Sequence, residues 1–283
     1  MKAPLSNRLR SNVGSMHPIE RLRYVARASG VDPAILVRET AGALAAVVRV
    51  EPAGLVPACR RLIERHLATG PVWWLAARVL TAADPVDAAW GAAAEIEDDT
   101  TAGALARALP DDTTVTIVGW PDTAAGALRR RGDLEVLIGD AMGEGGALCR
   151  RLADSGITAA VVPDAGLAAA AVVSDMVLIE AMAAGPTGVL ATSGSHAVAA
   201  VAAHAGLPVW AVAPVGTVLP DRLWAALLRR LDDGQEEPWD RSVELVPASL
   251  FTEVVGPDGP AQSPDGLGRS TCPVAPELLR PAG

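Results

Sequence analysis

Hydrophobic positions recur at helical spacing over the first ~105 residues and then change to short unbroken runs. After His17-Pro18, Ile19, Leu22, Val25 and Ala26 share one face, as expected for a helix opened by that dipeptide. Asp32-Pro33 introduces Ala34–Val50, in which Ile35, Leu36, Leu44 and Val47 fall on one side. Leu55–Leu67 and Trp73–Leu80 predict two further helices. Trp73, Trp74 and Trp90 lie inside these apolar stripes, which marks them as core anchors rather than a stacking platform.

From Asp111 the pattern alternates. Thr113–Val118, Leu134–Ile138, Thr158–Val162, Met176–Ile179 and Val209–Val212 are apolar strand-length runs. Between them lie helix-like segments at Thr123–Arg130, Ala147–Ser155, Gly166–Val173 and Ser195–His204. Strands apolar on both faces, alternating with helices, predict βαβ units and a parallel sheet covered on both sides. The expected architecture is therefore α/β, with an N-terminal helical domain followed by a Rossmann-like open parallel sheet. The expected boundaries are a tail over 1–15, the helical domain over 16–108 and the α/β domain over 109–255. A loop-rich segment, 256–283, would return to that α/β domain. Val243–Val255 offers one or two edge strands, and Gly256–Arg269, rich in Gly, Pro and Ser, reads as loop.

Composition narrows the function. Half of the 283 residues are hydrophobic but only 3% are aromatic, so the core must be built from Ala, Val and Leu. The formal charge is −9, and the one compact basic run, Arg129-Arg130-Arg131, reads as a solvated helix end, which disfavours nucleic acid as a partner. Cys59, Cys149 and Cys272 are far apart and odd in number, without metal spacing or a disulfide framework. Residues 1–15 lack an apolar signal core, and Met16 is a candidate start, so a cytoplasmic protein is expected. Ala181–Pro220 has no Asp, Glu, Lys or Arg, but Pro186, Pro208 and Pro214 interrupt it. Buried strand, loop, helix and strand fit it better than a membrane span.

Open parallel sheets bind ligands beyond the carboxyl ends of their strands. Those ends place Gly119, Trp120 and Asp122, then Asp140, Asp164 and Glu180, on one rim. Carboxylates at such positions also cap the helices that follow. Thr192-Ser193-Gly194-Ser195-His196 precedes a helix, where small residues and the helix N-terminus favour an anion such as phosphate, although a plain serine cap reads equally well. Gly185, Thr187 and Gly188 offer a second wall. With no G-x-G-x-x-G fingerprint and no P-loop, no dinucleotide or nucleotide cofactor is expected, and no metal.

Several words of the second half resemble one family. Glu144-Gly145 opens a helix that runs into Leu152-Ala153-Asp154-Ser155-Gly156-Ile157. Val162-Pro163-Asp164-Ala165 and Asp175-Met176-Val177-Leu178-Ile179 follow. Gly194-Ser195 precedes an alanine-rich helix and Ala205-Gly206-Leu207-Pro208-Val209, then Ala213-Pro214, and Val274-Ala275-Pro276-Glu277-Leu278-Leu279 comes near the end. Together these resemble the translation initiation factor 2B alpha/beta/delta subunits, a family that includes methylthioribose-1-phosphate and ribose-1,5-bisphosphate isomerases. The resemblance implies a helical domain before a Rossmann-like one, and a homodimer or a related subunit as partner. It also implies where isomerase chemistry is missing. The loop Gly119–Asp122 holds no cysteine, Met182 stands near the position of the catalytic aspartate, and Ala191-Thr192 replaces a phosphate-reaching Asn-Lys. The family's arginine is absent from Gly139–Gly143. Three readings stay open. The first is a divergent, non-catalytic protein binding a small metabolite, phosphorylated or not, and acting through subunit contacts. The second is an isomerase with a rebuilt acid/base pair, Glu180 and Asp164. The third is an assembly protein whose site is plugged, with Trp120 as the plug.

Overall fold

The computed structural model describes residues 33–280 except Gln235 and Pro264. The expected tail, the Met16 start and the helix over Ile19–Ala26 lie outside the described residues. Helices α1 (Pro33–Val50), α2 (Leu55–Arg65), α3 (Gly70–Thr81) and α4 (Pro85–Glu97) form one layer. The start of α4 is set locally, since the Asp84 carboxylate accepts the amides of Val86 and Asp87 at 2.9 and 3.0 Å and Pro85 follows it. Trp73 and Trp74 are buried in this layer, as expected of anchors, but Trp90 on α4 is 43% exposed. Its neighbours Ala89, Ala92 and Ala93 take the inward side instead.

Helix α5 (Thr101–Ala108) leads into the sheet. Strands β1 (Thr114–Val118), β2 (Glu135–Gly139), β3 (Thr158–Val162) and β4 (Met176–Glu180) alternate with α6 (Asp122–Leu128), α7 (Gly145–Ala153) and α8 (Leu167–Val173). Then come β5 (Ala183–Gly185), β6 (Gly188–Thr192), α9 (Ser195–His204), β7 (Val209–Val212), α10 (Asp221–Asp232) and β8 (Val243–Pro247). The described chain closes with β9 (Glu253–Gly256), β10 (Gly259–Gln262) and the short α11 (Asp265–Gly268). The main sheet runs β10-β9-β7-β4-β1-β2-β3 and is parallel except for β10. Val115, Ile117, Val136 and Ile138 pack with α5, α6 and α7 on one face. Val177 and Ile179 pack with α8 and α9 on the other. Each such side chain contributes about 1.5–3 kcal/mol when fully buried, which is why these runs are apolar throughout.

Four expectations change. The loop expected between β4 and the helix at Ser195 is an antiparallel hairpin, β5 and β6, that β8 extends into a second, three-stranded sheet, while the expected helix and the strand after it are present. Both faces of this hairpin are buried, so no alternation marked it. Gly256–Arg269 is not simply loop. The Pro257-Asp258 turn, followed by Gly259 at φ +100°, closes a β9–β10 hairpin, a Pro-Asp-Gly turn chemistry visible in the sequence. The C-terminal segment does not wholly return to the sheet. Cys272, Ala275 and Leu278 join the core of α1–α4 and α10, where Arg60 and Arg230 donate to the carbonyls of Glu277 and Leu278 at 2.8 and 2.7 Å. Finally, Arg131 is no solvated helix end. Its guanidinium donates to the carbonyls of Ala106 and Leu109 and pairs with Asp111 and Asp133, bolting α5 to the sheet. No described helix is long and apolar enough to cross a membrane.

Candidate functional site

The chain passes from β1 through β2 to β3 and then crosses back to place β4 on the other side of β1. The carboxyl ends of β1 and β4 therefore flank the point where strand order reverses, the position that binds ligands in open α/β sheets. Gly119 ends β1 at φ +68°, and a side chain there would meet Thr192 Cγ2 at 3.2 Å. Gly194 lies against Leu167 and Val118. Gly119, Thr192 and Gly194 thus converge, with Ser193, Ser195 and His196 beside them. Thr187, Gly185 and Gly188 do not join them, because they form the opposite end of the β5–β6 hairpin. A five-residue strand separates the two ends by about 16 Å. There Trp224 Nε1 donates to Thr187 Oγ1 at 2.7 Å, and a Cβ on Gly185 would fall 2.3 Å from Trp224 Cγ. That end holds the helical layer to the hairpin.

Carboxylates of the chain already sit on the helix N-termini of this rim. Glu180, at the end of β4, accepts the amides of Thr123 and Ala124 in the first turn of α6 at 3.1 and 2.8 Å. Asp140, at the end of β2, accepts the amide of Gly145 that opens α7 at 2.9 Å. Glu244, from β8, accepts the amide of His196 that opens α9 at 2.8 Å. The helix end expected to hold phosphate is occupied by Glu244, whose charge would repel a second anion. Ser193 is drawn the same way, its hydroxyl donating to the Arg241 carbonyl and its amide to the Ser242 carbonyl. Ser195 is 2% exposed. Glu244 and the 241–242 strap were missed because they lie 48 residues from their partners, and no local spacing announces them.

Glu180 is displaced from its ordinary range. Withdrawal from water pushes its carboxyl up to about 7, with a smaller push from Asp122, against the amide hydrogen bonds of Ala124 and Thr123. Asp164, its proposed acid/base partner, is exposed at the end of β3. Three strand spacings separate those strand ends, about 14 Å. Proton transfer at adjacent carbons requires both groups within hydrogen-bond reach of one substrate. Trp120 does not plug the crevice. Its indole donates to Asp122 at 2.9 Å, and Arg151 of α7 lies over the ring at 5.7 Å, so it leans to the α7 flank.

None of the three cysteines stands at the rim. Cys59 and Cys272 are buried in the helical layer, which pushes both thiols up to about 12. Cys149 on α7 donates to the Ala159 carbonyl at 3.3 Å. A cavity of about 280 Å³ opens beyond β7 and β9, lined by Pro214, Gly216, Gly256, Asp258, Arg269 and Glu95 among others. Its two carboxylates against one guanidinium give an anion no advantage.

No protein-family model matches the chain, and no curated protein sequence matches it significantly. Solved structures do. The translation initiation factor eIF-2B of Pyrococcus horikoshii OT3 superposes with a TM-score of 0.73 at 14% identity, covering 88% of this chain and 98% of that one. The fold is that of the initiation factor 2B subunits. A chain of the tetrameric eIF2B beta2-delta2 complex of C. thermophilum gives 0.69 at 18% identity, over 89% of this chain and 92% of that one. The 5-methylthioribose 1-phosphate isomerase of P. horikoshii OT3 gives 0.63 at 12% identity, over 89% and 86%. The initiation-factor-2B fold is thus present nearly end to end, and at these identities it speaks for architecture alone.

Proposed function

We propose that this protein is a non-catalytic assembly subunit built on the initiation-factor-2B fold, acting through contacts with a second copy or a related subunit. The observation that carries this reading is the set of carboxylates at the rim. Asp140 and Glu244 supply from within the chain the negative charge that a sugar phosphate would otherwise bring to the helix N-termini, and Glu180 takes up the amides of a third. Among the solved structures of this fold, the C. thermophilum relative is a tetrameric complex of two subunit types, which supports subunit contact as the working mode. Cytoplasmic residence belongs to the same proposal.

The test is a thermal-shift series with inorganic phosphate, ribose phosphates and methylthioribose 1-phosphate, paired with an isomerase assay. A ligand at ~100 times its dissociation constant adds about 2.7 kcal/mol, roughly 5–10 °C for a chain of this size. The expected result is no shift and no turnover. A phosphate-dependent shift of that size would overturn the reading. So would turnover abolished by Glu180→Gln, which would favour the second reading, an isomerase. One observation speaks for that alternative: a carboxyl near 7 at a strand-order switch suits general acid–base work.

A further inference from the structure

Trp239 is the most exposed of the described large apolar side chains, at 79%. Trp73, Trp74 and Trp224 are buried, and Trp120 and Trp210 are half-buried, as befits a side chain that gains much by leaving water. Trp239 stands on the connection between α10 and β8. Asp232, Asp233, Glu236, Glu237 and Asp240 are exposed on the same stretch. None of these five carboxylates joins an ion pair among the described residues. Arg241, the one cation between Asp232 and Val243, turns its Nε–H to the Glu236 carbonyl at 3.1 Å. The amide of Asp240 donates to the Glu237 carbonyl at 2.9 Å, so Glu236–Arg241 folds back on itself. At its base, Ser193 holds the carbonyls of Arg241 and Ser242. The indole is thus carried outward on folded backbone, which lowers the ordering cost of docking onto it.

Two independent features of this surface ask for the same kind of partner. The face of an indole is electronegative and attracts a cation, and the carboxylates beside it add a negative field of the same sense. The described His, Cys, Asp and Glu side chains form no group that could hold a metal ion, so the cation is not a bound metal. Nucleic acid and acidic lipid are repelled. A second copy, with net charge −9 and Lys2 as its only lysine, is poorly matched. We propose that the α10–β8 connection docks a cationic segment of a different protein, with an arginine or lysine side chain on the face of Trp239 and its basic neighbours paired to Glu236, Glu237 and Asp240. Arg and Trp are the side chains that most often dominate protein contacts. The proposal goes beyond the assembly reading and does not use the crevice, so the ligand series above decides that reading separately.

The probe is a fluorescein-labelled peptide of arginine–glycine repeats, titrated with the full chain and read by anisotropy. The expected result is saturable binding that weakens as salt rises. Glu236→Lys with Glu237→Lys should weaken it ~10-fold or more. Glu51→Lys with Asp98→Lys makes the same change of net charge at exposed carboxylates outside the connection and should leave affinity within ~2-fold. Trp239→Leu keeps apolar area but removes the aromatic face, and should cost ~3–30-fold, the range of one cation–π contact. Trp90→Leu, at the other exposed indole, should have no effect. Unchanged melting of each variant separates lost docking from lost folding. No binding by the wild type overturns the proposal, as does equal weakening by the two charge reversals, which would reduce it to net charge. Unaltered affinity in Trp239→Leu overturns docking on the indole. Self-association of the wild type, by light scattering, that Glu236→Lys with Glu237→Lys abolishes would assign the surface to a second copy and overturn the partner named here.

Discussion

Glu180→Gln should stabilise the protein above neutral pH and leave it almost unchanged near pH 4.5. The carboxyl at the end of β4 is withdrawn from water, which raises it from 4.5 to about 7 even though Ala124 and Thr123 donate their amides to it. Because the folded value lies above the unfolded one, the unfolded chain loses its proton first. Stability is therefore fully present below pH 4.5, falls as pH rises and is lost once the folded group has ionised past pH 7. At about 1.36 kcal/mol per unit the shift caps the loss near 3 kcal/mol. Partial exposure of the side chain reduces that to roughly 1–3 kcal/mol. Glutamine keeps an oxygen for the Ala124 amide and carries no charge, so it removes the loss. The assay is urea denaturation of both proteins between pH 4.5 and 8.5, compared at equal m-value. A difference that stays flat with pH, or a wild type more stable than the variant at pH 8.5, would refute the electrostatic account of the crevice.

Two further outcomes follow from the packing. Gly185→Ala places a methyl group 2.3 Å from Trp224 Cγ and should cost about 1–3 kcal/mol by overpacking, read as a lower denaturation midpoint. A thiol reagent at pH 8 should label Cys149 well before Cys59 and Cys272, whose burial pushes them up to about 12. Rapid labelling of all three in the native protein would show that the helical layer opens.

Much of the sheet was legible. The runs that became β1–β4 and β7 are buried on both faces of a parallel sheet, so hydrophobicity alone marked them. The helix that became α9 showed its start at Gly194-Ser195 and its end at Gly206. The site was legible only as a rim. Asp140 acts as the helix cap that its position implied, since its partner Gly145 lies five residues away. Glu180 was visible as a carboxylate at a strand end, but its partners Thr123 and Ala124 lie more than fifty residues back. Gly185–Gly188 lies close to Ser193 in sequence, yet the intervening strand β6 carries it away.

By itself, then, the sequence determined the strands β1–β4 and β7, the helices between them and their parallel arrangement, because burial on both faces of a parallel sheet leaves a local, unbroken apolar signature. Tertiary structure alone decided that α10 and the C-terminal segment complete the helical core and that Glu244 accepts an amide in the first turn of α9. A helix end attracts any anion brought within hydrogen-bond reach, and which carboxylate arrives there is set by the long-range course of the chain.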